Sequence, residues 1–218
     1  VLDADEECQV TFQTGSPTPD GALLRVPVEI RSGEATGRVH ARAEVLLGDR
    51  LTARSSLQAP HYSEDSDPIY PALLFHGPRF QCIQQVARIS SMHLAVRSVG
   101  APSPREWLEA PMRSDWIIDP LRIDAVFQAL ILWSRSQRGM PSLPCGIARL
   151  RCHLPIDSGV LETRISIESS KGATASARVE ILNRSGLPAV TIEGAEMVID
   201  AALENAFGCD QQAKEATP

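Results

Sequence analysis

Nothing in these 218 residues is apolar for long enough to cross a membrane. The longest such run, residues 125–133, is broken by Gln128 and falls far short of the roughly 20 residues a span requires. No secretory leader is expected, because Val1-Leu2-Asp3-Ala4-Asp5-Glu6-Glu7 is acidic where a leader would open on basic residues. Basic charge is not in excess either. The 21 Lys and Arg against 27 Asp and Glu leave a net charge of −6, which argues against a phosphate-tracking surface and a nucleic acid partner. Cysteines are few, odd in number and scattered, at Cys8, Cys82, Cys145, Cys152 and Cys209. A chain of this length needs no disulfide staples, so a reduced, cytoplasmic setting is expected. Metal ligands do not converge: in an alternating strand Cys152 and His153 point to opposite faces, which argues against a zinc site built with Cys145. No Gly-rich phosphate loop or nucleophile elbow occurs, and Ser142 stands before Leu143-Pro144 with no base beside it. The chain does not open on Met, and a longer parent polypeptide is expected.

What is present suffices for one large domain or two small ones with a sizeable core. Residues 8–12, 22–30 and 37–47 alternate as strands, with Val26, Val28 and Ile30 on one face and turn chemistry between them. With no helix to cover them, one face of that sheet is left bare, so a further segment or a partner surface is expected over it. Residues 58–71, with Pro60, Pro68 and Pro71 around an acidic run, have the composition of an exposed linker. The expected layout is therefore 1–57, the linker 58–71, a second unit 72–203, and a tail 204–218. Within the second unit residues 80–90 fit a helical turn or a strand, and 91–99 read as a strand. Strands are also expected at 146–154, 162–169, 176–182 and 189–199.

The clearest helix runs over residues 120–138. Asp119 is placed to cap it, Pro120 occupies its first position, Gly139 follows its end, and Arg135 and Arg138 complement the dipole in its last turn. Its middle, Ala125-Val126-Phe127-Gln128-Ala129-Leu130-Ile131-Leu132-Trp133, is apolar nearly all round, as in a helix enclosed by protein. One buried helix wrapped by an antiparallel meander makes the expected fold α+β, of the hotdog type. Asp124 and Gln128 lie four apart and so share a face of this helix. A carboxyl in apolar surroundings can hold its proton near neutral pH and act as a general acid, with Gln128 holding it in place. Periodicity equally allows Asp124 to face water and merely favour the helix N-terminus.

Three segments resemble the dehydratase domains of modular polyketide and polyunsaturated-fatty-acid synthases. Asp119-Pro120 followed by Asp124 and Gln128 is similar to the opening of their second hotdog helix. Phe75-His76-Gly77-Pro78-Arg79-Phe80-Gln81 resembles the segment that begins the second hotdog and lines the substrate tunnel, and Leu143-Pro144 resembles the Leu-Pro after the helix. Gly37-Arg38-Val39-His40-Ala41 is similar to the strand closing the first hotdog. The resemblance implies a double hotdog whose first half is incomplete. It also implies syn elimination of water from a 3-hydroxyacyl thioester, with a His base and Asp124 as the acid, oriented by Gln128. Phe75, His76, Gly77, Pro78, Phe80, Leu143 and Pro144 would line the tunnel. No metal or separate cofactor is implied, because the substrate rides on the phosphopantetheine of an acyl carrier protein. That carrier and neighbouring synthase domains are the implied partners, and a homodimer is compatible with it.

The family's base lies in a His-x3-Gly-x4-Pro motif, which does not occur in these residues. The 218 residues alone are therefore expected to be inactive. The alternative is a non-catalytic module of the same fold that binds an acyl chain or scaffolds synthase domains. Among the five histidines, His40 fits a structural strand position and His76 the tunnel wall, with a role as substitute base a remoter reading. His61, His93 and His153 have no companion that implies more than exposure.

Overall fold

The computed structural model describes residues 9–49, 54–58, 60–62, 69–70 and 73–204. Two compact units emerge, Val1–Leu51 and Thr52–Pro218. In the first, alternation gives strands β1 (Val10–Thr14), β2 (Thr18–Asp20), β3 (Leu23–Ser32) and β4 (Val39–Leu47). β3 is central, with β4 along one edge and β1 and β2 in succession along the other, all antiparallel. β2 lies in the Pro-Gly stretch that composition assigns to a turn, because Thr18–Asp20 continues the pairing with residues 23–25. Register places Phe12, Ile30, Val26, Val45, Leu24 and Leu47 on one face, while Arg25, Glu44, Glu29 and Arg42 pair on the other. The apolar face includes exposed Phe12, Leu24, Val45 and Leu47.

The second unit carries β5 (Ile83–Val86), β6 (His93–Val99), a short helix α1 (Pro104–Trp107), the long helix α2 (Pro120–Arg138), β7 (Ser142–Cys152), β8 (Val160–Lys171), β9 (Thr174–Leu182) and β10 (Pro188–Ile199). Its six strands form one antiparallel sheet in the order β5-β6-β8-β9-β10-β7. The sheet's inner face meets α2. Val96, Ile165, Ile167, Ala177, Val179, Ile181 and Ile192 join Ala125, Val126, Ala129, Leu130 and Trp133 in one buried core. α2 begins and ends where its sequence dictates: Asp119 accepts from the Leu121 and Arg122 amides, and Gly139 closes the helix in the left-handed region at φ 65°. No helix among the described residues is long and apolar enough to cross a membrane.

The dividing line between the units falls ahead of the stretch 58–71. Within that stretch Tyr62 bridges to Ala87 and Tyr70 packs against the core, because aromatic side chains outweigh the local proline content. Residues 59, 63–68, 71–72 and 205–218 of the expected linker and tail, and Cys8 of the first expected strand, lie outside the described residues. His153 also departs from expectation. It is buried, with Nε2 2.9 Å from the Thr191 hydroxyl.

Glu180 faces away from α2 yet is fully buried, because residues 55–57 lie over it. Its carboxylate accepts from Ser55 Oγ at 2.7 Å, Ser56 Oγ at 2.8 Å and the Ser56 amide at 3.0 Å, while Arg164 Nη1 donates to the Leu57 carbonyl at 2.9 Å. Burial alone would push this carboxyl up, but the hydrogen bonds from Ser55, Ser56 and Leu57 outweigh it and hold it below the usual Glu value. The clamp's contribution is therefore fully present above that usual value and is lost as pH falls through the lowered one. Hydrogen exchange at the Ser56 amide is expected to show protection at pH 7 that disappears in acid. In Glu180→Gln the protection should drop about tenfold at pH 7, the equivalent of one charge-assisted bond, and lose its acid dependence. An acid dependence that survives the substitution would place its origin elsewhere.

Candidate active site

The first turns of α2 and the loop ahead of β5 build the site together. Gly77 leads into a 3-10 turn at Pro78–Phe80, and Gln81 Nε2 returns to the His76 carbonyl at 3.0 Å, which fixes the loop beside the helix. The Phe75 and His76 rings stack, centroids 4.4 Å apart, and Phe80 packs on Trp107 of α1. Across from them stands Asp124. Its carboxylate Oδ2 accepts from Gln128 Nε2 at 2.6 Å and lies 3.7 Å from His76 Nε2. The Asp124 side chain is 31% exposed and His76 11% exposed, so the carboxyl is neither sealed in the core nor simply in water: it looks into a cavity.

That cavity measures about 380 Å³ and is lined by Phe75, His76, Gly77, Phe80, Asp124, Phe127, Ile131 and Pro144. Its volume is in the range of small-ligand sites, and its wall is apolar apart from one carboxyl and one imidazole. Burial lowers the His76 pKa from its ordinary value, and the attraction of Asp124 offsets this only in part. The His76 Nδ1 atom is buried with no hydrogen-bond partner among the described residues.

Of the residues expected from sequence, the structure brings Phe75, His76, Gly77, Phe80, Asp124 and Pro144 to one wall and puts Gln128, fully buried, directly behind Asp124. Pro78 begins the 3-10 turn and is not in the wall. Leu143 is not there either. β7 starts at Ser142, earlier than the expected 146, so Leu143 and its neighbour Pro144 alternate, and Leu143 turns outward, 44% exposed. Phe127 and Ile131 line the cavity unannounced: three and seven residues after Asp124, they belong to its helical face. Tyr70, also unannounced, lies outside the wall and donates from its phenol to Gln128 Oε1.

A family model described as polyketide synthase dehydratase N-terminal domain matches residues 49–199, which include every residue of the cavity wall. The chain belongs to this dehydratase family. A curated relative from Thraustochytrium sp., one of the subunits of a polyunsaturated fatty acid synthase, is 30% identical over 166 residues, covering 72% of this chain. The chain spans only 6% of that relative's length. Among solved structures, the CurJ dehydratase, an inactive mutant crystallised with a compound, aligns with a TM-score of 0.65 at 17% identity, over 89% of this chain and 70% of that one. The dehydratase domain of PpsC from Mycobacterium tuberculosis, in complex with C12:1-CoA, aligns at 0.58 with 21% identity, over 84% and 66%. The fold of this dehydratase domain is accordingly the α+β double hotdog, with α2 as the central helix of its second unit.

Proposed function

We propose that this dehydratase domain eliminates water from a 3-hydroxyacyl thioester held on the phosphopantetheine of an acyl carrier protein, with Asp124 as the acid. The observation that carries this reading is the Asp124 carboxyl, held by Gln128 and set into an apolar cavity. Asp124 gives its proton to the 3-hydroxyl as the carbon–oxygen bond breaks. A histidine takes the proton from the neighbouring carbon, and the electron pair of that C–H bond becomes the double bond. Phe75, His76, Gly77, Phe80 and Pro144 would hold the acyl chain, with Phe127 and Ile131 beneath it. The acyl thioester bound to PpsC and the synthase named by the relative support this substrate class and a setting among other synthase domains. No metal or further cofactor has a part in this chemistry.

The test is to present a 3-hydroxyacyl thioester to the synthase polypeptide that carries this chain and to follow the conjugated 2-enoyl product. Turnover supports the reading, whereas binding without turnover would favour the non-catalytic module that holds an acyl chain or scaffolds its neighbours. The 218 residues alone should bind the thioester without turning it over, since the His-x3-Gly-x4-Pro base is not among them. His76 stands 3.7 Å from Asp124, and burial favours its uncharged form, which is the form that can take a proton. His76→Gln is expected to raise KM a few-fold with kcat kept, as for a wall residue; loss of kcat would make His76 the base.

A further inference from the structure

We propose that Tyr70 is a positioning residue of this site, fixing through Gln128 which oxygen of Asp124 carries the proton to be delivered. The proposal rests on Asp124 being the acid. Its basis is a count of donors and acceptors along one chain of contacts. The Ile83 amide can only donate, and it donates to the Tyr70 phenol oxygen at 3.2 Å. The single phenol hydrogen is thereby turned to Gln128 Oε1. Gln128 spends its two N–H bonds on the Phe80 carbonyl at 2.7 Å and on Asp124 Oδ2 at 2.6 Å. Reversing the amide would set its oxygen against the Phe80 carbonyl, which can only accept, inside a side chain that is 0% exposed. The orientation is therefore unique.

The consequence falls on Asp124. Accepting from Gln128 favours Oδ2 as the carbonyl oxygen of the protonated acid, which leaves the proton on Oδ1. All the bonds run in one sense, from the Ile83 amide through the phenol and the amide to the carboxyl, and each polarises the next. Burial pushes the Tyr70 phenol above its ordinary value, so it remains a donor throughout the working pH range. Tyr70 is not in the cavity wall; it acts through Gln128.

The test uses the synthase polypeptide with Tyr70→Phe, Gln128→Met and the double variant, each assayed for kcat, KM and the pH profile of kcat. Tyr70→Phe is expected to lower kcat about tenfold with KM within about twofold, and to move the alkaline limb to higher pH, because Gln128 becomes a weaker donor. Gln128→Met should move the limb the same way, and the double variant should add little to either single change, since both cut one chain. An unchanged limb in Tyr70→Phe, or fully additive effects in the double variant, would overturn the proposal and leave Tyr70 a packing residue. If the wild-type polypeptide turns over and Asp124→Asn does not, that failure concerns Tyr70 alone. If the wild type shows no turnover, the acid reading falls and this proposal with it.

Discussion

Replacing Asp124 by Asn is expected to cut turnover of a 3-hydroxyacyl thioester by about a thousandfold, the scale of a lost general acid, while the thermal melt stays where it was. The substitution is nearly isosteric. An Asn carbonyl can still accept from Gln128 Nε2, and the side chain stays partly exposed at the cavity wall, so neither a void nor a buried unpaired group results. What disappears is the ability to hand over a proton. Binding of the saturated acyl thioester should therefore survive within a few-fold, which separates a chemical defect from a collapsed cavity. Undiminished turnover in Asp124→Asn would remove Asp124 from the mechanism, since no steric argument could then rescue it. Loss of binding as well as turnover would point to a structural part for the carboxyl.

The helix and the pairing of Asp124 with Gln128 were legible in the sequence because the signals are local. Asp119, Pro120 and Gly139 satisfy helix-end chemistry within a few residues, and the spacing of Asp124 and Gln128 alone puts them on one face. The loop at Phe75-His76-Gly77 was legible only as a resemblance. Nothing in its spacing shows that it crosses 48 positions to bring His76 within 3.7 Å of Asp124. Tyr70 was hidden for a physical reason: Pro60, Pro68 and Pro71 and an acidic run dominate the composition around it, and composition is blind to one aromatic side chain that turns inward. Glu180 and His153 were hidden similarly. A charged or titratable side chain reads as solvent-facing until a distant segment, here Ser55 to Leu57, or the Thr191 hydroxyl, is seen to meet it. Leu143 is the converse case: a motif match covers the whole dipeptide, while strand alternation puts only Pro144 in the cavity wall.

The largest effect on stability is expected at Arg122, two residues ahead of the acid. Its guanidinium is fully buried, donating from Nη1 to the Ser98 carbonyl at 2.9 Å and from Nη2 to the Gly159 carbonyl at 2.6 Å and the Asp157 carbonyl at 3.3 Å. Nε lies 3.5 Å from Asp119, whose carboxylate also accepts from the Ala101 amide at 3.1 Å. One side chain thus ties the start of α2 to the end of β6 and to the turn before β8. Gly100 leaves the room for it: a Cβ there would stand 2.2 Å from Asp119 Oδ2 and 3.2 Å from Arg122 Nη2. Arg122→Met keeps much of the apolar volume but takes the donor from three carbonyls and the cation from beside Asp119, and should cost about 3–5 kcal/mol in urea melts. Arg122→Lys restores the charge without the planar fork and should recover only part of that. Gly100→Ala is expected to destabilise through the same contacts, so combining it with Arg122→Met should cost clearly less than the sum of the two. Full additivity would show that the glycine and the arginine serve different ends. Because Asp124 stands on the helical turn that Arg122 pins, the lysine variant should also lose turnover at temperatures where it is still fully folded. Such a loss would tie the placement of the acid to the anchoring of the helix start.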